Sequence, residues 1–298
     1  MTRLFSIAYR FSRPHTILGS VLSTAALYFM AAYPAGFVRD ELPLFWITLA
    51  AALGCNLYIV GLNEIVDIEL DKKNKPHLPL ASGELSVSAA KLIVGFSALI
   101  ALVTAFLAGE LMLLLVVVVS LLGTAYSLPP LKFKKHHFGA AISITLVRGA
   151  LVNVLMFLHF NNELVGSLDF PEYMWPLVLF MILFSIGIAW LKDIPDISGD
   201  RVHSIKTLAV YRGARWAFRG AVSLVALTYL IMILWGGIGV SDYSNVLLTS
   251  FHFGMLVLFL TAASLTNPYR HTQVKLFYRF YWLLFFAEYL VYPIGLVL

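Results

Sequence analysis

The chain has 298 residues, of which 60% are hydrophobic and only 12% charged. Soluble domains carry roughly twice that share of charge, so a mean hydropathy of +0.85 excludes an ordinary water-soluble globule and makes lipid the expected solvent. The net charge of +5 is placed as a membrane-orientation signal rather than a nucleic-acid patch, and the single cysteine, Cys55, excludes an intrachain disulfide framework or a Cys-based metal centre.

In chain order, the N-terminal segment up to Ser20 does not read as a cleavable signal. Its first apolar run is long, and no small-residue cleavage site leads into more soluble sequence. It is also too short, and too poor in Ser and Arg, for an organelle transit peptide, so a prokaryotic or already processed chain is expected. A spanning helix needs about 20 mostly apolar residues. Nine such stretches follow, at 14–34, 44–66, 87–108, 110–127, 139–160, 173–191, 214–236, 244–265 and 277–297. Only Gly109 and Glu110 separate the third from the fourth, where a tight turn is expected. No two-residue alternation of the kind a lipid-facing barrel needs is visible. Cys55 falls in an apolar stretch and is expected to be a small core residue.

The basic residues test this count. Arg3, Arg10 and Arg13 precede the first span; Lys72, Lys73, Lys75 and Lys91 lie between the second and third; Lys132, Lys134 and Lys135 between the fourth and fifth. Lys192, Arg201, Lys206, Arg212, Arg215 and Arg219 lie between the sixth and seventh, and Arg270, Lys275 and Arg279 between the eighth and ninth. Of the 21 Lys and Arg, only Arg39 falls on the other face and only Arg148 inside a span. The positive-inside rule makes the rich face cytoplasmic, with the N-terminus inside and the C-terminus outside. A weak internal repeat is also present. The second and sixth spans both run into acidic clusters, and the fourth and eighth both end in Pro, aromatic and basic residues, from Tyr126 to Lys134 and from Asn267 to Arg270. The expected fold is therefore an all-α integral membrane domain over 1–298, with two four-helix pseudo-repeats and a ninth helix. Sites in membrane proteins often lie where such halves meet.

The chemistry concentrates in the acidic clusters. Asn63, Asp67 and Asp71 are spaced by four, which on a helix stacks them on one face about 6 Å apart along the axis. Like carboxylates at that spacing repel, and the arrangement makes sense around a cation. Mg²⁺ takes oxygen ligands, usually one or two carboxylates plus phosphate oxygens and water. Glu69 lies off this face. In the second cluster Asp196 and Asp200 repeat the spacing, Asp193 sits three residues earlier, and Pro195 and Gly199 predict a frayed or broken helix. Clusters in pseudo-equivalent loops can hold metal on both sides of one diphosphate, at the cytoplasmic side. Lys75, Lys132, Lys134, Arg201 and Lys206 are candidates to offset the remaining phosphate charge, and Tyr126 to donate a hydrogen bond. Arg148, an ionisable residue at membrane depth, is a functional candidate for an acidic co-substrate. Asn56 lies two turns before Asn63, and Arg13 and His15 open the first span. His159 and Glu288 lie toward the opposite face and are expected to be interfacial. The aromatics are expected to be mostly packing or lipid-facing, a minority flanking a prenyl chain or a carbocation.

At these motifs the chain resembles the UbiA superfamily of intramembrane prenyltransferases over essentially its whole length. It is most similar to the homogentisate prenyltransferases of tocopherol and plastoquinone synthesis. The segments that carry this are Phe11 to Thr16, Gly61 to Asn63, Asn74 to Pro76 continuing through Leu78 to Gly83, Val147 to Gly149, and Lys192 to Asp196. Many superfamily members carry Arg where Lys75 stands, and an aromatic is expected where His77 stands. The resemblance implies that Mg²⁺ and basic side chains bind an isoprenoid diphosphate and stabilise it as its C–O bond breaks. The allylic cation is then attacked by an electron-rich ring in a cavity that excludes water, and homogentisate loses CO₂. Asp67, Asp71, Asp196, Asp200 and Arg148 are the implied catalytic residues, and Arg13, Asn56 and Arg148 the implied acceptor-holding residues. No general base stands out; released diphosphate or the substrate's own carboxylate are candidates. Phytyl, geranylgeranyl and solanesyl donors all fit, the first two favoured for a photosynthetic source, whose plasma or thylakoid membrane would house the enzyme. Acceptors such as hydroxybenzoate, a naphthoate or chlorophyllide are alternatives, as is an ion-coupled transporter. Membrane lipid is an expected partner, and nucleic acid is not.

Overall fold

The structure, a computed structural model, describes residues 2–33, 36, 42–238 and 245–298. Arg39 and the first residue assigned to the eighth span lie outside the described residues. Where it is described the chain is helical, with no strand beyond one parallel bridge between His136 and Lys206. In hydrocarbon each backbone N–H and C=O must find a partner within the protein, and a helix provides that within one segment.

The helices in chain order are α1 (Thr2–Phe11), α2 (Pro14–Ala32), α3 (Leu42–Val66), α4 (Ile68–Asn74), α5 (Val87–Ala108), α6 (Glu110–Ser127) and α7 (His137–Thr145). A π-helical turn (Leu146–Leu151) follows, then α8 (Val152–Val165), α9 (Met174–Lys192), α10 (Ile197–Val202), α11 (Leu208–Arg212), α12 (Ala214–Ile238), α13 (Asn245–Ser264) and α14 (His271–Val297). Among the described residues nine helices are long and apolar enough to cross a membrane, α7, the π-turn and α8 running together as the fifth. Their positions match the nine apolar stretches. The fifth and ninth are longer than hydropathy suggests, at 29 and 27 residues. Polar residues such as His271, Thr272, Gln273 and Lys275 continue α14 past its apolar part, and a hydropathy reading stops where the lipid does. α1 is a further helix that apolar length cannot reveal. It buries Ile7 and Phe11 and leaves Leu4, Phe5 and Tyr9 exposed, the pattern of a helix lying along a membrane interface.

The chain divides into two compact units, Met1–Lys134 with Leu155–Ser167, and Lys135–Val154 with Leu168–Leu298. In the first, α3 and α5 pack most intimately, because small residues let two backbones approach where no hydrophobic drive separates helix from lipid. A Cβ on Gly54 would lie 2.9 Å from the Ser97 carbonyl oxygen and 3.0 Å from the Ala101 nitrogen. One turn of the chain away, Phe11, Leu80, Ala90 and Val94 form a buried cluster with Leu62 and Ile65 against it. The expected tight turn is present at Gly109, whose φ of 137° favours glycine. Cys55 is buried, its sulfur 3.5 Å from the Ser120 hydroxyl.

In the second unit α9 carries the core. Phe180 and Phe184 stack, and Tyr229 and Tyr281 close around them. Gly149 brings the π-turn onto the backbone of Ile182, and Gly187 admits the Tyr281 hydroxyl.

His159 and Glu288 face neither lipid nor water. Both are fully buried. His159 Nε2 lies 2.9 Å from the Thr48 hydroxyl in the first unit, and Glu288 lies 3.1 Å from His252 Nε2 in the second. Polar side chains facing helix neighbours gain partners that lipid does not provide, and position along a span cannot show which way a side chain faces.

Gly54→Val would thrust the new methyls against α5 backbone, which cannot yield as a side chain can. A loss of about 1–3 kcal/mol is expected, read as a lowered thermal midpoint in detergent. Gly95→Ala, with open space around its Cβ, should leave the midpoint unlowered or slightly raised.

Candidate functional site

The first acidic cluster forms where α3 leaves its apolar run. The helix ends at Val66, Asp67 adopts φ −104° and ψ 15°, and α4 begins at Ile68. The four-residue stacking persists through this break. Asp67 N donates to the Asn63 carbonyl at 3.0 Å, Asp71 N to the Asp67 carbonyl at 2.7 Å, and Lys75 N to the Asp71 carbonyl at 2.7 Å. Asn63, Asp67, Asp71 and Lys75 thus share one hydrogen-bonded row, with both aspartates buried.

Their side chains form a connected network. Asn63 Nδ2 donates to Asp67 Oδ2 at 3.1 Å and to the Ser127 hydroxyl at 3.4 Å, while Asn63 Oδ1 accepts from Arg13 at 3.4 Å. Lys134 Nζ donates to Asp67 Oδ1 at 2.6 Å, with both side chains almost wholly enclosed. Burial pulls the Lys134 ammonium below the usual lysine range, and the Asp67 carboxylate opposes that pull. Lys75 Nζ lies 3.7 Å from Asp71. Of the candidates for phosphate, Lys134 is therefore engaged with Asp67, Lys75 is near Asp71, and Lys132 and Tyr126 are half-buried nearby in sequence. Of the candidates for an acidic acceptor, Arg13 reaches Asn63 and Asn56 donates to the Ser20 hydroxyl at 3.2 Å.

The loop beyond is fixed from two sides. Glu64, fully buried one turn before Asp67, accepts from Leu80 N at 3.0 Å. Arg10 donates to both carboxylate oxygens of Glu84 and to the His77 carbonyl at 2.6 Å. The hydrogen bond from Arg10 holds the Glu84 carboxyl below its usual range. Leu78, Pro79 and Leu80 are buried beneath this clasp, so the Asn74–Gly83 run acts here as a packed turn that positions Lys75. The sequence gives no sign of these clasps, since Glu64 and Arg10 are distant from the loop along the chain.

The second cluster, in the other unit, repeats the pattern. α9 ends at Lys192, residues 193–196 form a turn, and α10 starts at Ile197, as Pro195 and Gly199 predict. Asp196 N donates to the Asp193 carbonyl at 3.2 Å and Asp200 N to the Asp196 carbonyl at 2.9 Å. Asp193 and Asp200 are buried, and Lys192 Nζ lies 2.5 Å from Asp193. Arg201 and Lys206 are exposed. Lys206 is held in place by its backbone, its N–H donating to the Lys135 carbonyl at 2.9 Å and its carbonyl accepting from His137 at 3.0 Å.

Arg148 sits in the π-helical turn, a feature frequently found at functional sites. Its guanidinium lies over the Trp282 ring at 4.9 Å. Asn153, fully buried, donates to the Arg148 carbonyl at 2.8 Å and the Gly149 carbonyl at 2.9 Å, and the Tyr289 hydroxyl donates to Asn153 Oδ1 at 2.9 Å. Asn153, Trp282 and Tyr289 thus support Arg148 from α8 and α14. Sequence reading missed them, although an Asn inside a span is itself a signal.

The donors in both clusters are hard oxygens: carboxylates, and in the first an amide. Among the described residues no three His, Cys, Asp or Glu side chains converge as a metal cage. The set fits a divalent ion that completes its shell with a ligand's own oxygens, as Mg²⁺ does beside phosphates.

Fold and composition define a multi-span helical membrane protein with a carboxylate cluster at the end of two of its spans. Residues 20–284 match the UbiA prenyltransferase family, and the chain belongs to it. It is 37% identical to the homogentisate phytyltransferase of Synechocystis sp. (strain ATCC 27184 / PCC 6803 / Kazusa), over 97% of this chain and 94% of that protein. It is also 37% identical to the chloroplastic homogentisate solanesyltransferase of Arabidopsis thaliana, over 98% of this chain and 77% of that one. A UbiA homolog from Archaeoglobus fulgidus, solved bound to GPP and Mg²⁺, shares the fold at a TM-score of 0.65 with 18% identity, covering 96% of this chain and 98% of its own. Family membership sets aside the transporter alternative.

Asp67→Asn would leave the enclosed Lys134 ammonium without its counter-charge. Breaking one side of a buried ion pair costs about 3 kcal/mol or more, so the thermal midpoint should fall by several degrees. Lys134→Met in the Asp67→Asn background should restore most of that loss.

Proposed function

We propose that this protein transfers a phytyl or geranylgeranyl group from its diphosphate to homogentisate, with decarboxylation, in a Mg²⁺-dependent reaction of tocopherol or plastoquinone biosynthesis. The observation that carries it is the near-full-length similarity to a homogentisate phytyltransferase, joined to two oxygen-donor clusters at the ends of α3 and α9.

Asn63, Asp67 and Asp71 would hold metal at one cluster, and Asp193, Asp196 and Asp200 at the other. The bound metal supplies neutralisation of the charge that builds on the departing diphosphate. Lys75 and Lys132 would add fixed positive charge for phosphate at the first cluster, with Tyr126 a hydrogen bond, and Arg201 and Lys206 would do so at the second. Lys134 holds Asp67 in place, and with metal bound at that carboxylate its ammonium would be free to add charge toward phosphate. In the reaction the prenyl C–O bond breaks and a ring C–C bond forms. The ring proton is lost, and the side-chain carboxylate leaves as CO₂ while its electron pair takes up a proton to give a methyl group. The apolar spans exclude water that would capture the allylic cation. Arg148 presents its guanidinium to the acceptor carboxylate, Asn153 and Tyr289 fixing the π-turn beneath it. Arg13 acts through Asn63 on the first cluster, and Asn56 lies two turns earlier on α3. The placement of 19 of 21 Lys and Arg supports a cytoplasmic N-terminus and active site, and the repeated break after α3 and α9 supports two pseudo-repeats.

The test offers purified protein Mg²⁺ and radiolabelled homogentisate with phytyl, geranylgeranyl or solanesyl diphosphate in turn. A lipophilic product is expected, lost on chelation and in Asp67→Ala and Asp196→Ala, and the preferred donor names the product. No product with any of the three donors, from protein with a normal thermal midpoint, would overturn the homogentisate assignment.

Arg148→Gln should raise KM for homogentisate about tenfold or more, the worth of one charge-assisted hydrogen bond, while KM for the prenyl diphosphate stays within a factor of about two. Asn153→Leu should shift the same constant less, because it loosens the turn without removing the charge. Equal shifts in both constants would deny Arg148 an acceptor role.

A further inference from the structure

A groove of about 580 Å³ opens between α12 and α13, within the second unit and apart from its acidic cluster. It is amphipathic along its length. Phe218, Val222 and Leu260 form an apolar part, while Arg215, Arg219, Ser264 and Thr266 line the polar part, where the two spans end. Arg215 and Arg219 are four residues apart on one helix face, where like charges repel. Both are exposed, and among the described residues neither is paired with a carboxylate. The surrounding aromatics form an interfacial belt: Arg215 lies over the Tyr269 ring at 5.4 Å, and Arg212 over Tyr211 and Trp216 at 5.6 and 5.5 Å.

We infer that this groove is a specific site for an anionic phospholipid, whose phosphate sits between Arg215 and Arg219 and whose acyl chain follows Phe218, Val222 and Leu260. Two guanidinia on one face can donate to both non-bridging oxygens of a phosphate diester and attract its negative charge, and basic pockets between spans hold lipid headgroups elsewhere for this reason. The hydroxyls refine the choice. Ser264 Oγ already donates to the Thr261 carbonyl and Thr266 Oγ1 to the Ala262 carbonyl, each at 2.8 Å. Both are left as acceptors, which suits a headgroup that itself carries hydroxyl donors, as phosphatidylglycerol does. No carboxylate lines the groove, so it offers nothing to the metal that accompanies a prenyl diphosphate. The inference stands independently of which acceptor the enzyme uses.

The test takes delipidated protein in detergent and adds phosphatidylglycerol or phosphatidylcholine with identical acyl chains. Bound lipid is read by native mass spectrometry, and stabilisation by the thermal midpoint. One tightly retained phosphatidylglycerol and a raised midpoint are expected, with phosphatidylcholine giving neither. In Arg215→Gln/Arg219→Gln the apparent affinity for phosphatidylglycerol should weaken about tenfold or more, the loss of at least one charge-assisted contact. Its midpoint in phosphatidylcholine should match the wild type, which shows that it folds. Lys73→Gln/Lys91→Gln removes the same charge from exposed sites elsewhere and should keep the wild-type response. The inference is overturned if the arginine variant still retains phosphatidylglycerol, if phosphatidylcholine binds equally, or if the lysine variant loses the response too. It is also overturned if geranylgeranyl diphosphate with Mg²⁺ displaces the lipid, which would make the groove a prenyl diphosphate site.

Discussion

A carboxylate cannot be left facing hydrocarbon, and this constraint organises the whole molecule. Asp67 is the first residue after α3 and Asp193 the first after α9. Each cluster begins where its span stops, on a short helix or turn that continues the backbone hydrogen bonding while leaving the lipid. The carboxylates are thereby close to the apolar interior without being embedded in it. Both are nevertheless enclosed by protein, and enclosure makes any charge placed beside them count for more than it would in water.

Within the first unit that enclosure is answered by cations. Lys134 approaches Asp67 at 2.6 Å and Arg13 reaches Asn63, so the row of polar side chains is oriented by its own neighbours. Lys192 stands in the same relation to Asp193 in the second unit.

Polar groups deeper in the spans follow the same rule by pairing sideways. Thr48 with His159, His252 with Glu288, and Tyr289 with Asn153 each join two helices of one unit. The last pair also holds a π-turn open, and that turn gives Arg148 its perch on Trp282. At the groove between α12 and α13, by contrast, Arg215 and Arg219 meet no carboxylate among the described residues.

The nine spans and both acidic rows were legible in the chain, because apolar length and four-residue spacing are local properties that lipid thickness and helix pitch translate directly into structure. The break after Asp193 was legible for the same reason, through Pro195 and Gly199. Other features depended on residues far apart in sequence. That Lys134 closes on Asp67, that Glu64 and Arg10 clasp the Asn74–Gly83 turn, and that His159 and Glu288 face inward were decided only when helices packed. Hydropathy reports how deep a residue lies but not which neighbour it faces. The sequence by itself determined the solvent, the spans and the oxygen donors. Tertiary structure decided which charge each donor meets, because a pairing across helices is fixed by the close approach that residues such as Gly54 and Gly149 permit, and no local pattern encodes it.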